Sequence, residues 1–231
     1  MTWSTPTGPS SISRVSDSRA DITNDPITVQ AQAGNVTQLT ITADQISQRW
    51  QGYYGNISGT IVLEDASNFT LFQWDTGVSN AQGEVYAAIS TVSNWAEVYC
   101  ANLSTSQPGV NCTGPGIECL NITELQGKFG GAVDASESIT GTFQNLSNIS
   151  IHTRDLINCS AVHLFQNDST SRDNTWAEVI LWENNTENVI FASIIDNDEW
   201  GFNNRTWDFQ MIVGANQTPQ IYSYNFYVEL T

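Results

Sequence analysis

Apolar residues recur at every second position through much of this chain, and that period constrains the fold more than any other feature. Side chains of an extended strand point alternately to opposite faces, so a period of two fits a half-buried strand and not one face of a helix. Ala177, Val179 and Leu181 oppose Trp176, Glu178, Ile180 and Trp182, and Trp207, Phe209, Met211 and Val213 alternate in the same way. Tyr222, Tyr224, Phe226, Val228 and Leu230 line one face of a closing strand. Val189–Ile195 is apolar on both faces, which predicts a central strand. Earlier candidates are Ile27–Ala33, Leu39 and Ile41, the aromatic run Trp50–Tyr54, a hairpin over 60–74, Val85–Ile89, and Ala96–Cys100. Residues 101–150 read as an elaborated loop region with one or two short strands and a turn of helix within Asn121–Phe129. Short strands, frequent turns and almost no helix predict an all-β fold, an antiparallel β-sandwich of Ig-like or jelly-roll-like type. The expected layout is an extended tail over 1–26, then one sandwich domain over 27–231 with a disulfide-stapled insertion at about 100–159.

Charge removes whole classes of partner. The chain carries 24 Asp+Glu against 7 Lys+Arg, a formal charge of −17, and Lys128 is its only lysine. A nucleic-acid binder needs a basic face to neutralise phosphates, and anionic lipid repels such a surface. No run of about 18 apolar residues occurs, so no membrane-spanning helix is expected.

The sequon N-x-S/T occurs 13 times, at Asn35, Asn56, Asn68, Asn102, Asn111, Asn121, Asn145, Asn148, Asn158, Asn167, Asn184, Asn204 and Asn216. Chance would give roughly four or five at this composition. Crowding of Asn, Ser and Thr in turns could double that figure but hardly triple it. The reading is an extracellular, heavily N-glycosylated surface protein whose only cofactor-like groups are covalent glycans. Residues 1–26 lack an apolar h-region, so secretion is inferred from the sequons, with a leader expected to be removed before this numbering or the start to be late.

Four cysteines in an extracellular-looking chain point to disulfides, with three possible connectivities. Cys112 and Cys119 flank a six-residue loop containing Pro115 and two glycines, so local closure is easy. Cys100 and Cys159 would then staple the ends of the insertion, a crosslink contributing about 3–4 kcal/mol. A four-cysteine zinc site is disfavoured because no C-x₂-C pair is present.

Catalytic machinery is hard to assemble from these residues. Only His152 and His163 could serve as an imidazole base, there is no G-x-S-x-G, and Gly127–Gly131 lacks phosphate-loop spacing. Glu178, Glu183, Asp196, Asp198 and Glu199 could form a glycosidase pair or a sugar site beside Trp176, Trp182, Trp200 and Trp207. Tryptophans at alternate strand positions are more simply core packing. Asp196, Asp198 and Glu199 are a possible calcium set, as are Asp134 and Glu137, although the run lacks EF-hand spacing and acidic loops are usually solvated. No enzymatic activity is expected.

A third source of function is an open sheet edge, which can accept a strand from a neighbour. A lone polar tail orders only if something holds it, and a neighbouring subunit is the natural candidate. Ala20 and Ile22 in the tail and Ile27 and Val29 just after it are the candidate donor positions.

Five strings carry a resemblance: Trp50-Gln51-Gly52-Tyr53-Tyr54-Gly55-Asn56-Ile57-Ser58-Gly59-Thr60-Ile61, Gly83-Glu84-Val85-Tyr86-Ala87, Glu178-Val179-Ile180-Leu181, Asp208-Phe209-Gln210-Met211-Ile212-Val213 and Phe226-Tyr227-Val228-Glu229-Leu230. Together they resemble a family of secreted archaeal proteins of uncharacterised function from small-genome lineages. The resemblance covers roughly residues 30–231, with a gap in 101–150. It brings no activity or catalytic residue. It implies an archaeal cell-surface location and, because members keep cysteines like Cys100 and Cys159, the pairing of those two. The combined expectation is a structural, self-assembling subunit of a filament, pilus-like fibre or sheath, its partner another copy of itself and its link a donated strand. The alternative is a monomeric carbohydrate- or surface-binding adhesion module, which would present a row of exposed tryptophans.

Overall fold

The computed structural model describes residues 5–9, 12, 50–57, 60–64, 70–75, 82–102, 120–121, 125–126, 137–165, 172–202, 205–214 and 223–230. The architecture is all-β and antiparallel, a sandwich in which one large sheet is covered on both faces. Its centre is β10 (Asn188–Ile194), flanked by β4 (Gly83–Ala88) and β9 (Arg172–Glu183). That position explains the doubly apolar run: Val189 and Phe191 face one core while Ile190 and Ala192 face the other. Outside β4 lies β14 (Asn225–Leu230). The far side of β9 is shared end to end by β5 (Val98–Asn102), which pairs with Leu181–Glu183, and β8 (Arg154–Phe165), which pairs with Arg172–Val179.

The first core forms where Val85, Ala87, Ile180, Trp182, Val189 and Phe191 meet Met211 and Val213. The last two belong to β13 (Phe209–Gly214), whose antiparallel partner is β1 (Trp50–Gly55). Two polar contacts fix this small sheet on the large one. Ser193 Oγ donates to Gln210 O at 2.9 Å, and Ile212 N donates to Glu178 Oε2 at 2.8 Å. The second core joins Tyr86, Val179, Leu181 and Ile190 to Ile149, Ile151 and Leu156. Those three come from β7 (Asn145–Ile151) and the first half of β8, a hairpin folded over the sheet. The ladder shifts register between Ser147 and Ile149, and opposite the shift Asn158 adopts φ 55° while its N–H is accepted by Asn148 Oδ1. A bulge of this kind bends the strand, which lets β8 leave the covering layer and join the sheet.

Other elements match or correct the sequence reading. β2 (Thr60–Glu64) and β3 (Thr70–Asp75) form the expected hairpin. Residues 95–97 are not strand: Asn94 Oδ1 caps a 3-10 turn, Trp95–Glu97, and the strand begins at Val98. The insertion contributes β6 (Leu120–Asn121), which pairs with β5 in parallel, and a helical turn at Ile139–Thr142. Leu125 and Gln126, inside the stretch read as a turn of helix, are helical and buried. The acidic run read as a loop holds β11 (Glu199–Gly201), paired with β12 (Arg205–Trp207). Among the described residues no helix is long and apolar enough to cross a membrane.

Candidate functional site at the β14 edge

Among the described residues β14 has one strand partner, β4, and an edge of this kind exposes a row of unpaired main-chain groups. Part of that row is satisfied by the N-terminal tail. Thr7 N donates to Val228 O at 3.1 Å, and Val228 N donates to Thr7 O at 2.8 Å. Pro6 beside it is buried, whereas Thr7 is exposed. Pro6 and Pro9 have no N–H to donate, so the contact stays short. The sequence reading placed the donor at Ala20, Ile22, Ile27 and Val29, which lie outside the described residues. It missed Thr7 because one threonine between two prolines carries no alternation.

Behind the edge lies a pair of buried acids. Glu229 on β14 stands opposite Glu84 on β4, with 1% and 7% of their surfaces exposed. Tyr86 Oη donates to Glu229 Oε2 at 3.1 Å, and His152 N donates to both Glu229 oxygens, at 2.9 and 3.1 Å. Burial first, and then the charge of Glu229, push the Glu84 carboxyl up to about 8 against a hydrogen bond from the Ser150 backbone. Burial also raises Glu229 and Tyr86. The pair therefore ties β14 to β4 and to the β7–β8 turn. Neither acid is open to solvent in the way that glycoside hydrolysis requires.

Two of the acids named from sequence, Glu178 and Glu183, are buried and hydrogen-bonded within the fold. Glu178 is fully buried, its carboxyl raised by burial despite the Ile212 N–H. Burial opposes the charge on Glu183, but donors from Ser93, Thr186 and Asn94 outweigh it and hold that carboxyl below the usual range. Asp196, Asp198 and Glu199 do not converge: among the described residues no three His, Cys, Asp or Glu side chains group so as to hold a metal ion. Asp134 lies outside the described residues. The loop is organised instead by Asp208, to which the sequence reading gave no role beyond a place in one resemblance string. Its carboxylate accepts Ile57 N at 2.6 Å and Asp198 N at 3.3 Å.

Cys100 and Cys159 form the disulfide expected of them, with Cα atoms 4.9 Å apart, inside the second core. Cys112 and Cys119 lie outside the described residues. Asn56, Asn148, Asn158 and Asn184 are exposed and Asn145 is half-buried; side chains at the other eight sequons are not among those described. Of the tryptophans with described side chains, Trp95, Trp176 and Trp182 are buried, Trp50 and Trp207 are partly covered, and Trp200 alone is largely exposed, at 54%.

These features define an antiparallel β-sandwich protein with a tail-capped edge strand. No protein family, curated protein or solved structure matches the chain.

Proposed function

We propose that this chain is a structural, self-assembling glycoprotein of the extracellular surface, the subunit of a fibre or sheath, and that copies join through strand pairing at the β14 edge. The archaeal setting implied by the sequence resemblance belongs to the same proposal. The observation that carries it is the Thr7–Val228 bridge on an edge that no other described residue pairs with. Two further facts support it. No sequon lies in residues 1–34 or in β14, so glycans leave this contact free. Residues 10–49 separate Pro9 from β1, a stretch of 40 residues whose extended reach is about 130 Å. A folded chain of this length has a radius of gyration of about 17 Å, so the tail can cap its own β14 or that of a neighbour. The rival adhesion module predicts a row of exposed tryptophans, and among the tryptophans with described side chains one largely exposed Trp200 gives it little support. No enzymatic activity forms part of this proposal.

Negative-stain electron microscopy of native, glycosylated material is the test. Regular filaments or sheets that disappear on deleting residues 1–9, or on Thr7→Pro, are the expected outcome. Dispersed particles from the intact chain would refute assembly. Filaments surviving the deletion would refute only the tail as the link.

A further inference from the structure

We infer that Asn56 is a glycosylation site with a built sugar shelf, on which the first residue of its N-glycan rests against the rings of Tyr54, Phe202 and Trp207. The inference rests on the glycoprotein reading above and names where on the surface that chemistry is structurally exploited.

The strand geometry sets the shelf beside the asparagine. Tyr53 and Ile57 pack into the first core, and a Cβ on Gly55 would lie 3.1 Å from a Phe209 ring carbon. Tyr53 and Gly55 pair with Met211 and Phe209 on the core side, so Tyr54 between them lies on the outer face, and Asn56 follows just past the strand end with its Cα about 7 Å from that of Tyr54. Asn56 is exposed there. The Tyr54 ring centroid lies 5.1 Å from that of Phe202 and 4.7 Å from that of Trp207. Trp207 Nε1 donates to Phe202 O at 2.9 Å, which fixes the indole, while Phe202 remains 40% exposed. The backbone on both sides of Asn56 is pinned. Gly55 O accepts Asp208 N at 3.0 Å, and Ile57 N donates to the Asp208 carboxylate.

An aromatic cluster left partly open at the surface suits a pyranose. The sugar's C–H groups carry partial positive charge and an apolar surface, and both match the negative face of an aromatic ring. Tethering removes most of the entropic cost of bringing them together. In sequence, Phe202 precedes the sequon at Asn204 by two residues, the same spacing as Tyr54 to Asn56. The modification itself is ordinary group transfer. Asn56 Nδ2 bonds to the anomeric carbon of a lipid diphosphate-linked sugar, the C–O bond to the diphosphate breaks, and the amide proton leaves with it. A glycan held there covers the face formed by β1 and the β11–β12 hairpin. Subunit contacts are then directed elsewhere, including the β14 edge.

Glycopeptide mass spectrometry of native protein gives occupancy, and a double-mutant cycle between Asn56→Gln and Phe202→Ala gives the shelf. The expected result is an occupied Asn56 and a coupling of about three- to tenfold in the unfolding equilibrium, absent once glycans are removed enzymatically. Upfield ring-current shifts of the Asn56 sugar protons, relative to those at Asn184, give a second readout independent of stability. Occupied sequons elsewhere with Asn56 bare would overturn this inference alone. Bare sequons throughout would overturn the glycoprotein reading with it. Additive mutations together with unshifted sugar protons would show an occupied site without a shelf.

Discussion

Asp208 shows how much one side chain can organise. It sits between the end of β12 and the start of β13, and its carboxylate takes the N–H groups of Ile57 and Asp198. Its own backbone bonds Gly55 O and Asp196 N, so three segments meet at a residue with 3% of its surface exposed. Removing the carboxylate leaves two N–H donors without partners, each at a cost of about 1–3 kcal/mol. Asp208→Ala is therefore expected to lose about 2–4 kcal/mol in urea unfolding, and Asp208→Asn roughly half of that. An alanine variant within error of the parent would mean that water replaces the carboxylate. Gly83 is the other single point of failure. It adopts φ 139°, and a Cβ there would fall 1.9 Å from Glu229 O. No L side chain fits that space, so Gly83→Ala is expected to cost more than about 3 kcal/mol and to open the β4–β14 pairing. Amide hydrogen exchange at Tyr86 and Tyr227, whose main-chain groups face each other across this pairing, would report it.

The elements were legible in sequence where burial follows the period of the strand. β10 read as a central strand because both of its faces are apolar, and β9 as an alternating strand because its two faces enter different cores. Cys100 and Cys159 read correctly as a staple. What the sequence hid depends on contacts distant along the chain. Glu84 and Glu229 look like outward acids on alternating strands, and only the β7–β8 hairpin folded over them makes them buried. The Thr7 bridge and the Asn148 bulge likewise leave no periodic trace. The disulfide matters at this scale because it joins β5 to β8 just where they share the edge of β9. Closing a separation of 59 residues restricts the unfolded chain by about 4 kcal/mol. The paired substitution Cys100→Ala with Cys159→Ala should lower the thermal midpoint by about 8–16 °C. A drop of only a degree or two would mean that the hairpin's own packing already fixes β8.

At the scale of the whole molecule, the buried acids and the net charge act in the same direction. Folding raises the carboxyls of Glu84, Glu178 and Glu229 above the usual 4.5, so the folded chain holds those protons more tightly than the unfolded one. Stability from such groups is complete below the unfolded value and drains away as pH rises through the folded one, which for Glu84 is about 8. Glu183, held below the usual range, acts in the opposite sense and loses its contribution as pH falls. Around Glu84 the charged neighbour is Glu229, which opposes a second negative charge, and the Ser150 backbone is the donor that favours it. A formal charge of −17 adds self-repulsion as the acids ionise. Among the described residues, three raised carboxyls against one lowered predict a protein that is most stable in mild acid. Ionising Glu84 alone should cost roughly 4 kcal/mol by pH 9, a fall of order 10 °C in the thermal midpoint. Glu84→Gln keeps the neutral shape and cannot ionise, so its midpoint should fall much less between pH 5 and pH 9. Calorimetric scans of both proteins across that range decide the matter. Parallel curves would mean that water reaches Glu84 and the β14 edge opens as a unit. Diverging curves would mean that the acid pair stays closed, and that the strand carrying the Thr7 bridge is locked to the core by protons.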